Sequence, residues 1–236
     1  MEQQPRARLL AHFLPKFDNQ SENTRLSADA TCSGASCLIV SKKHSGHLVM
    51  APPFYSKNGC ANRFSRMGAI LLREHFGFVW PEDAEAKFGA WWAHAEEHGL
   101  CYSFECVVPR ILGDHGATPR AAYLVLTAVS HVGSGSFLAP AQLLVLATTW
   151  RLPLNQAWYV PWERAAAVEE ALHAGRWSMY DADVDQLMEG SGERQCFLRH
   201  GDTQGEILEG FVLMAGNRTG GVAATSCGGF LSPMWV

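Results

Sequence analysis

The chain has 236 residues, of which 47% are hydrophobic and 18% are charged. This length and composition suit one globular domain with a proper hydrophobic core. No apolar run approaches the roughly 18 residues of a membrane-spanning helix, and the N-terminus lacks the apolar stretch of a secretory signal, so we expect no membrane partner.

Cysteine usage points to a reducing compartment. The chain has seven cysteines, an odd number, and no CxxC pair occurs. These features argue against a disulfide framework and against a structural zinc site. We therefore expect free thiols and a nuclear or cytoplasmic location.

Charge is divided unevenly along the chain, although the net value is only −4. Residues 1–80 carry ten Lys or Arg against five Asp or Glu, a balance of +5, and the remainder carries nine against eighteen, a balance of −9. A basic segment attracts polyanions, so the first third of the chain favours such a partner. An ordinary patchy surface explains the same charges equally well.

The first half of the chain alternates short strands with two helices. Residues 1–12 are polar and basic and are expected to be disordered. A strand over 37–40, a Ser-Gly turn at 45–46 and a returning strand over 47–50 predict a hairpin. A short strand followed by a turn is predicted over 54–59. The apolar periodicity then predicts helices that begin near 62 and cover 83–98.

The second half is predicted from alternating and helical patterns in the same way. In the strand over 101–108, Glu105 lies on the face opposite Tyr102 and Phe104. Further elements are predicted at strand 122–130, helix 139–149, strand 156–160, helix 161–173 and strand 205–212. Residues 215–236 are rich in glycine and show no period, so we expect a loose tail.

Lys43 is the candidate nucleophile. It follows the first predicted strand and lies between two cationic residues, Lys42 and His44, which would lower the pKa of its amine. A lysine amine attacks only when it is deprotonated, so this setting suits covalent catalysis. The simpler alternative is a hairpin tip with surface lysines. A third reading takes His44 and His47 as metal ligands, but no further ligand is evident beside them.

Four separated segments then stand in a fixed order: Lys43-His44-Ser45-Gly46, Ser56-Lys57-Asn58, Phe104-Glu105 and Glu209-Gly210. Together they resemble motifs I (KxxG), Ia, III and IV of the sealing domain of plant and algal tRNA ligases, relatives of the phage-type RNA ligases. Segments 15–19, 112–116 (LGDHG) and 150–158 (WRLPLNQAW) resemble the plant proteins as well. The resemblance runs from about residue 11 to residue 212.

The resemblance implies an α+β covalent nucleotidyltransferase fold over residues 13–214, with antiparallel sheets flanked by helices. It implies that Lys43 attacks ATP, forms lysyl-AMP and passes the AMP to a 5′-phosphate RNA end before the phosphodiester forms. The implied cofactors are ATP and Mg²⁺, with Glu209 engaging the metal, and the implied partner is RNA in the form of tRNA exon halves. The implied nucleotide-binding residues are Lys42, His44, Gly46, Lys57, Asn58, Phe104 and Glu105.

The sequence departs from the family pattern in its second half. The resemblance implies a motif V, a late strand whose lysines contact the phosphates, but no lysine follows Lys87. The sequence contains no P-loop and no pair of HxT signatures, which mark the kinase and phosphodiesterase domains of plant tRNA ligases. Those domains are therefore expected as partners of this chain. We therefore expect a C-terminally truncated ligase. The alternative is a catalytically impaired remnant that binds RNA or ATP.

Overall fold

The structure is a computed structural model of the chain. It describes residues 9, 11, 18–19, 36–57, 59–109, 121–173, 193–194, 208–216 and 227–231. Segments 1–8, 15–17 and 112–116, as well as Asn58, lie outside these described residues.

The described residues form ten strands and four helices. The strands are β1 (Asp18–Asn19), β2 (Cys37–His44), β3 (His47–Ala51), β4 (Tyr55–Ser56), β5 (Leu100–Val107), β6 (Tyr123–His131), β7 (Ala157–Pro161), β8 (Glu193–Arg194), β9 (Leu208–Gly216) and β10 (Cys227–Leu231). The helices are α1 (Arg63–Val79), α2 (Ala84–Glu97), α3 (Pro140–Thr149) and α4 (Ala165–His173), the last preceded by a 3₁₀ turn (Trp162–Arg164).

The strands build two sheets. The first sheet has the order β1-β10-β9-β2-β7-β8, and the second has the order β4-β3-β5-β6. All neighbouring strands are antiparallel except β1 and β10, which are parallel. The predicted class, α+β with antiparallel sheets, is confirmed.

The larger core lies between the second sheet and helices α1, α2 and α3. Phe76 of α1 and Trp91 of α2 are fully buried there, with ring centroids 5.9 Å apart. Helix α1 approaches β3 closely because Gly68 has no side chain: a Cβ there would lie 2.6 Å from Cγ1 of Val49. A second apolar cluster covers the first sheet and includes Val168 of α4.

The link between β2 and β3 is a change of sheet, so the predicted hairpin is wrong. Strand β2 pairs with β7 and β9, whereas β3 pairs with β4 and β5. Both predicted strands and the bend at Ser45 and Gly46 are present, but the chain passes from one sheet to the other at that bend. A Ser-Gly bend fits either connection, and the partners that decide between them lie far away in the sequence.

The C-terminal segment also differs from expectation. Residues 227–231, in the stretch expected to be loose, form β10 between β1 and β9. The run CGGFL has too few alternating side chains to mark a strand in the sequence, and its backbone pairs with β9 instead. The helices and the other strands predicted within the described residues are all present, with ends shifted by a few residues.

Candidate active site

Lys43 lies near the end of β2, directly before the chain changes sheet. Its backbone pairs with Gly210 of β9, and its side chain is half-buried. Burial lowers the pKa of the Lys43 amine, and the nearby carboxylate of Glu105 acts in the opposite direction. Neutral amine, the form that can attack phosphorus, is therefore more accessible at Lys43 than at a solvated lysine.

Glu105 faces Lys43 from the second sheet. Its carboxylate accepts a hydrogen bond from the backbone N–H of Gly46 and is attracted to Lys43, and both contacts lower its pKa. Burial is the stronger influence and raises the pKa of Glu105 to about 7. The register explains this burial, because Val125 lies opposite Glu105 on β6 and Val107 follows on the same face of β5.

Gly46 allows the crossover to lie against β5. A Cβ at this position would be 2.7 Å from the carbonyl oxygen of Cys106 and 2.9 Å from Cγ2 of Val107. Only glycine fits such an approach, since the nearest neighbour is backbone and cannot rotate away. This glycine therefore brings the end of the Lys43 strand into contact with the strand that carries Glu105.

Lys57 lies on the far side of β3 from β5. The last pair between β4 and β3 is Ser56 with Val49. Strand β4 ends there, and the exposed Lys57 follows in a tight turn in which the backbones of Ser56 and Gly59 bond to each other, at 3.0 and 2.9 Å. Lys57 thus lies at the end of β4, while Glu105 pairs with Leu48 on the other side of β3.

Glu209 belongs to β9, the strand beside Lys43. On β9, Gly210 pairs with Lys43 and Leu208 pairs with His44, so Glu209 is the extra residue of a β-bulge. Gly210 has φ 147°, a backbone conformation that favours glycine. The backbone of three predicted positions, Lys43, Glu105 and Glu209, thus lies on strands that meet where the two sheets join.

Lys42 and His44 lie on the other side of β2. Adjacent strand residues point to opposite faces, and the side chains of both residues are buried, at 2% and 5% exposure. The predicted lowering of the Lys43 pKa is confirmed in direction, but its largest cause is burial and not these cationic neighbours. The predicted cause is therefore wrong.

His44 instead belongs to a hydrogen-bond network that the sequence did not reveal. Its Nδ1 lies 3.1 Å from the hydroxyl of Tyr123, and its Nε2 lies 3.0 Å from Oδ1 of Asn155. Asn155 also donates from Nδ2 to the carbonyl oxygen of Lys42, at 2.8 Å. The only sequence signal was the polar Asn155 within the apolar segment 150–158. Because both ring nitrogens are engaged, His44 has none left for zinc.

Phe104 packs in the core. It is fully buried, stacks near Tyr102 with ring centroids 6.4 Å apart, and lies on the face of β5 opposite Glu105. Phe104 therefore occupies a core position, and its predicted contact with the nucleotide stays a prediction. Strand alternation is the physical reason, since neighbours in a strand serve opposite faces.

A basic and aromatic surface adjoins the crossover. The ring of His47, the first residue of β3, lies 4.0 Å from the ring of Phe64 at the start of α1. The guanidinium of Arg63 lies 4.8 Å above the same phenyl ring, and both Arg63 and Arg66 are exposed. Arginine beside an aromatic ring is a common surface for nucleic-acid backbone and bases.

No group of three or more His, Cys, Asp or Glu side chains able to hold a metal occurs among the described residues. The same part of the chain contains no helix that is long and apolar enough to cross a membrane.

Comparisons with known proteins agree with the motifs. No protein-family model matches the chain. Its sequence is 30% identical over 224 residues to tRNA ligase 1 of Arabidopsis thaliana, covering 87% of this chain and 20% of that protein. Its structure superposes on a form 2 archaeal ATP-dependent RNA ligase with a TM-score of 0.52 and 14% identity, covering 93% of this chain and 48% of that one.

The chain spans about a fifth of the length of the curated relative that it matches. The predicted resemblance to a plant tRNA ligase is thereby confirmed for this part of the relative. The chain has the α+β nucleotidyltransferase-like fold of an ATP-dependent RNA ligase, and its sequence is similar to one section of a plant tRNA ligase.

Proposed function

We propose that this chain is the adenylyltransferase part of an ATP-dependent RNA ligase of the tRNA-splicing type. The observation that carries the proposal is Lys43 with a lowered amine pKa, held beside Glu105 where the two sheets meet. The fold of an archaeal RNA ligase and the sequence of a plant tRNA ligase support the same activity.

In the first step, the neutral amine of Lys43 attacks the α-phosphorus of ATP. A nitrogen–phosphorus bond forms, the bond to the bridging oxygen breaks, pyrophosphate leaves and the amine loses a proton. Burial favours this step because it lowers the pKa of the amine and makes the charges around it act more strongly than they would in water. Glu105, the carboxylate whose charge acts on Lys43, would hold that proton.

In the later steps, a 5′-phosphate oxygen of one RNA end attacks the bound AMP and releases Lys43. A 3′-hydroxyl of the second RNA end then attacks the activated phosphate, and AMP leaves as the phosphodiester forms. The surface of Arg63, Phe64 and Arg66 is the part of the described chain that suits an RNA strand beside Lys43. tRNA exon halves are the proposed substrates, and C-terminal ligase, kinase and phosphodiesterase domains are the proposed partners.

Lys57 and Glu105 would contact the ribose of ATP, as the resemblance of their motifs implies, and both belong to the second sheet or the turn that follows its strand β4. Mg²⁺ binds through one or two carboxylates together with substrate phosphates, so a complete cage of protein ligands is not required. Glu209, on the strand beside Lys43, fits this donor set. Bound Mg²⁺ supplies neutralisation of phosphate charge.

The experiment is to incubate the purified chain with Mg²⁺ and α-labelled ATP and to separate the products by denaturing electrophoresis. We expect label on the wild type, none on Lys43→Ala, and undiminished label on Lys87→Ala, a lysine of α2 outside the site. Mass spectrometry of the labelled peptide should place the AMP on residue 43. Label that persists in Lys43→Ala overturns the proposal.

A second candidate is a remnant that binds ATP or RNA without completing ligation. The absence of lysine after residue 87 favours it, because phosphate-contacting lysines stabilise charge as pyrophosphate leaves. Unlabelled wild-type protein that still retains ATP in equilibrium dialysis would select this candidate.

A further inference from the structure

The geometry around Lys43 contains a second feature that the resemblance does not assign. The strand pairing between β2 and β7 ends at Ser41 with Ala157, followed by one bond from the N–H of Lys42 to the carbonyl of Gln156. Beyond that point the next hydrogen bond to β2 comes from a side chain: Nδ2 of Asn155 donates to the carbonyl oxygen of Lys42. Asn155 thus extends the support of β2 up to the nucleophile.

The same amide fixes the ring of His44. Because Nδ2 of Asn155 serves Lys42, its Oδ1 is an acceptor, and Nε2 of His44 must donate to it. In the neutral ring Nδ1 then accepts from the hydroxyl of Tyr123. All three side chains are at least nine-tenths buried, at 5%, 9% and 7% exposure for His44, Tyr123 and Asn155.

The contacts hold the backbone on both sides of Lys43. The carbonyl before it is bonded to Asn155, and the side chain after it is bonded to both Asn155 and Tyr123. Tyr123 belongs to the second sheet, so the network ties the Lys43 strand to the sheet that carries Glu105. Aligned attack on phosphorus tolerates little displacement, and an error of about 1 Å costs on the order of 100-fold in rate.

We infer that His44, Tyr123 and Asn155 are positioning residues that hold the Lys43 backbone in line for attack on the α-phosphorus. This inference rests on the proposed function. It gives His44 a role different from direct nucleotide binding, since both ring nitrogens already have protein partners.

The test measures single-turnover formation of lysyl-AMP against ATP concentration for Tyr123→Phe and Asn155→Ala. We expect the rate at saturating ATP to fall about tenfold for Tyr123→Phe and about 100-fold for Asn155→Ala. The half-saturating ATP concentration should change less than about threefold, because the bonds of the network run to the protein around Lys43. Tyr123→Phe removes a single oxygen, so it keeps the test valid if Asn155→Ala folds poorly.

Tyr102→Phe is the matched control. It also removes one buried tyrosine hydroxyl from the second sheet, but from the face of β5 that lies in the core. Wild-type rates in Tyr123→Phe, or an equal loss in Tyr102→Phe, would overturn the positioning role while leaving the proposed function intact. Absence of lysyl-AMP in the wild type would overturn both.

Discussion

The charges of Lys43 and Glu105 attract each other, and this attraction acts against the effect of burial on both pKa values. Burial disfavours both charges, so it lowers the pKa of the lysine and raises that of the glutamate, whereas their mutual attraction acts the other way. The result is a pair in which the amine loses its proton more readily and the carboxyl keeps its proton longer. Such opposed shifts suit a nucleophile with a nearby proton acceptor.

The Glu105 shift makes stability depend on pH. Its folded pKa of about 7 exceeds its ordinary value of 4.5. Between these two values the folded protein binds more protons than the unfolded chain, so the free energy of unfolding falls as pH rises through this window. One proton accounts for no more than about 1.4 kcal/mol per pH unit.

We expect Glu105→Gln to remove this dependence. In urea denaturation at pH 5, 6, 7 and 8, the free energy of unfolding of the variant should rise relative to that of the wild type as the pH rises, because the amide of the variant stays uncharged. Glu96→Gln, on the exposed side of α2, is the control: its free energy of unfolding should differ from that of the wild type by the same amount at each pH. A difference that does not change with pH for Glu105→Gln as well would contradict the raised pKa of Glu105.

The crossover from β2 to β3 is the element on which the site depends. It places Lys43 in one sheet and leads, four residues later, into a strand that pairs with the Glu105 strand. Gly46 makes this possible, because the bend lies directly on the backbone of β5.

Gly46→Ala should therefore destabilise the protein by about 1–3 kcal/mol, since the added carbon meets a carbonyl oxygen that cannot move aside. It should also slow lysyl-AMP formation, because the N–H of Gly46 is bonded to Glu105. Chemical denaturation and the labelling assay measure the two effects.

Gly89→Ala is the matched control for this prediction. Gly89 is exposed in α2, and a Cβ there would meet nothing within 4 Å. Alanine at this helical position should stabilise the protein by about 1 kcal/mol. A Gly46→Ala variant as stable as the wild type would show that β5 gives way and that the close approach is not required.

Local elements were predictable because their signals are local. The periodicity of α1 and the alternation of β5 identified both elements, and Asn62 caps α1 by accepting from the N–H groups of Phe64 and Ser65 at 2.9 and 3.1 Å. Partner choice was not predictable, because the same bend at Ser45 and Gly46 fits a hairpin or a change of sheet.

The site was predictable to the same extent. Motif resemblance selected Lys43 and Glu105, which the structure brings together. It also selected Phe104, which faces the core, whereas the next residue, Glu105, faces the site. The partners of His44 could not be predicted, because Tyr123 and Asn155 are 79 and 111 residues away in the sequence.

At the scale of the whole molecule, the basic first third and the acidic remainder favour a one-sided approach of RNA. Each phosphate contact with single-stranded RNA contributes about 0.7 to the slope of log K against log salt concentration. Arg63→Ala and Arg66→Ala, combined, should reduce that slope by about 1.4 if both side chains contact phosphates.

Filter binding of a 5′-phosphate RNA between 50 and 200 mM salt, about the range over which such losses are large, measures the slope. Arg164→Ala, in the 3₁₀ turn before α4, is the control and should leave it unchanged. An unchanged slope in the double variant would remove this surface from the RNA path.

The change of sheet at Gly46 leaves Lys43 in a sheet whose strands lie far apart in the sequence. Ser41 of β2 bonds through its hydroxyl to the carbonyl of Val212, 171 residues later. A ribosome adding roughly 5–20 residues per second needs roughly 10 to 30 seconds to span that distance. Throughout that interval the Lys43 strand lacks its neighbour β9, whose Gly210 pairs with Lys43. The strand that pairs with Lys43 is therefore synthesised well after the strand that carries Glu105.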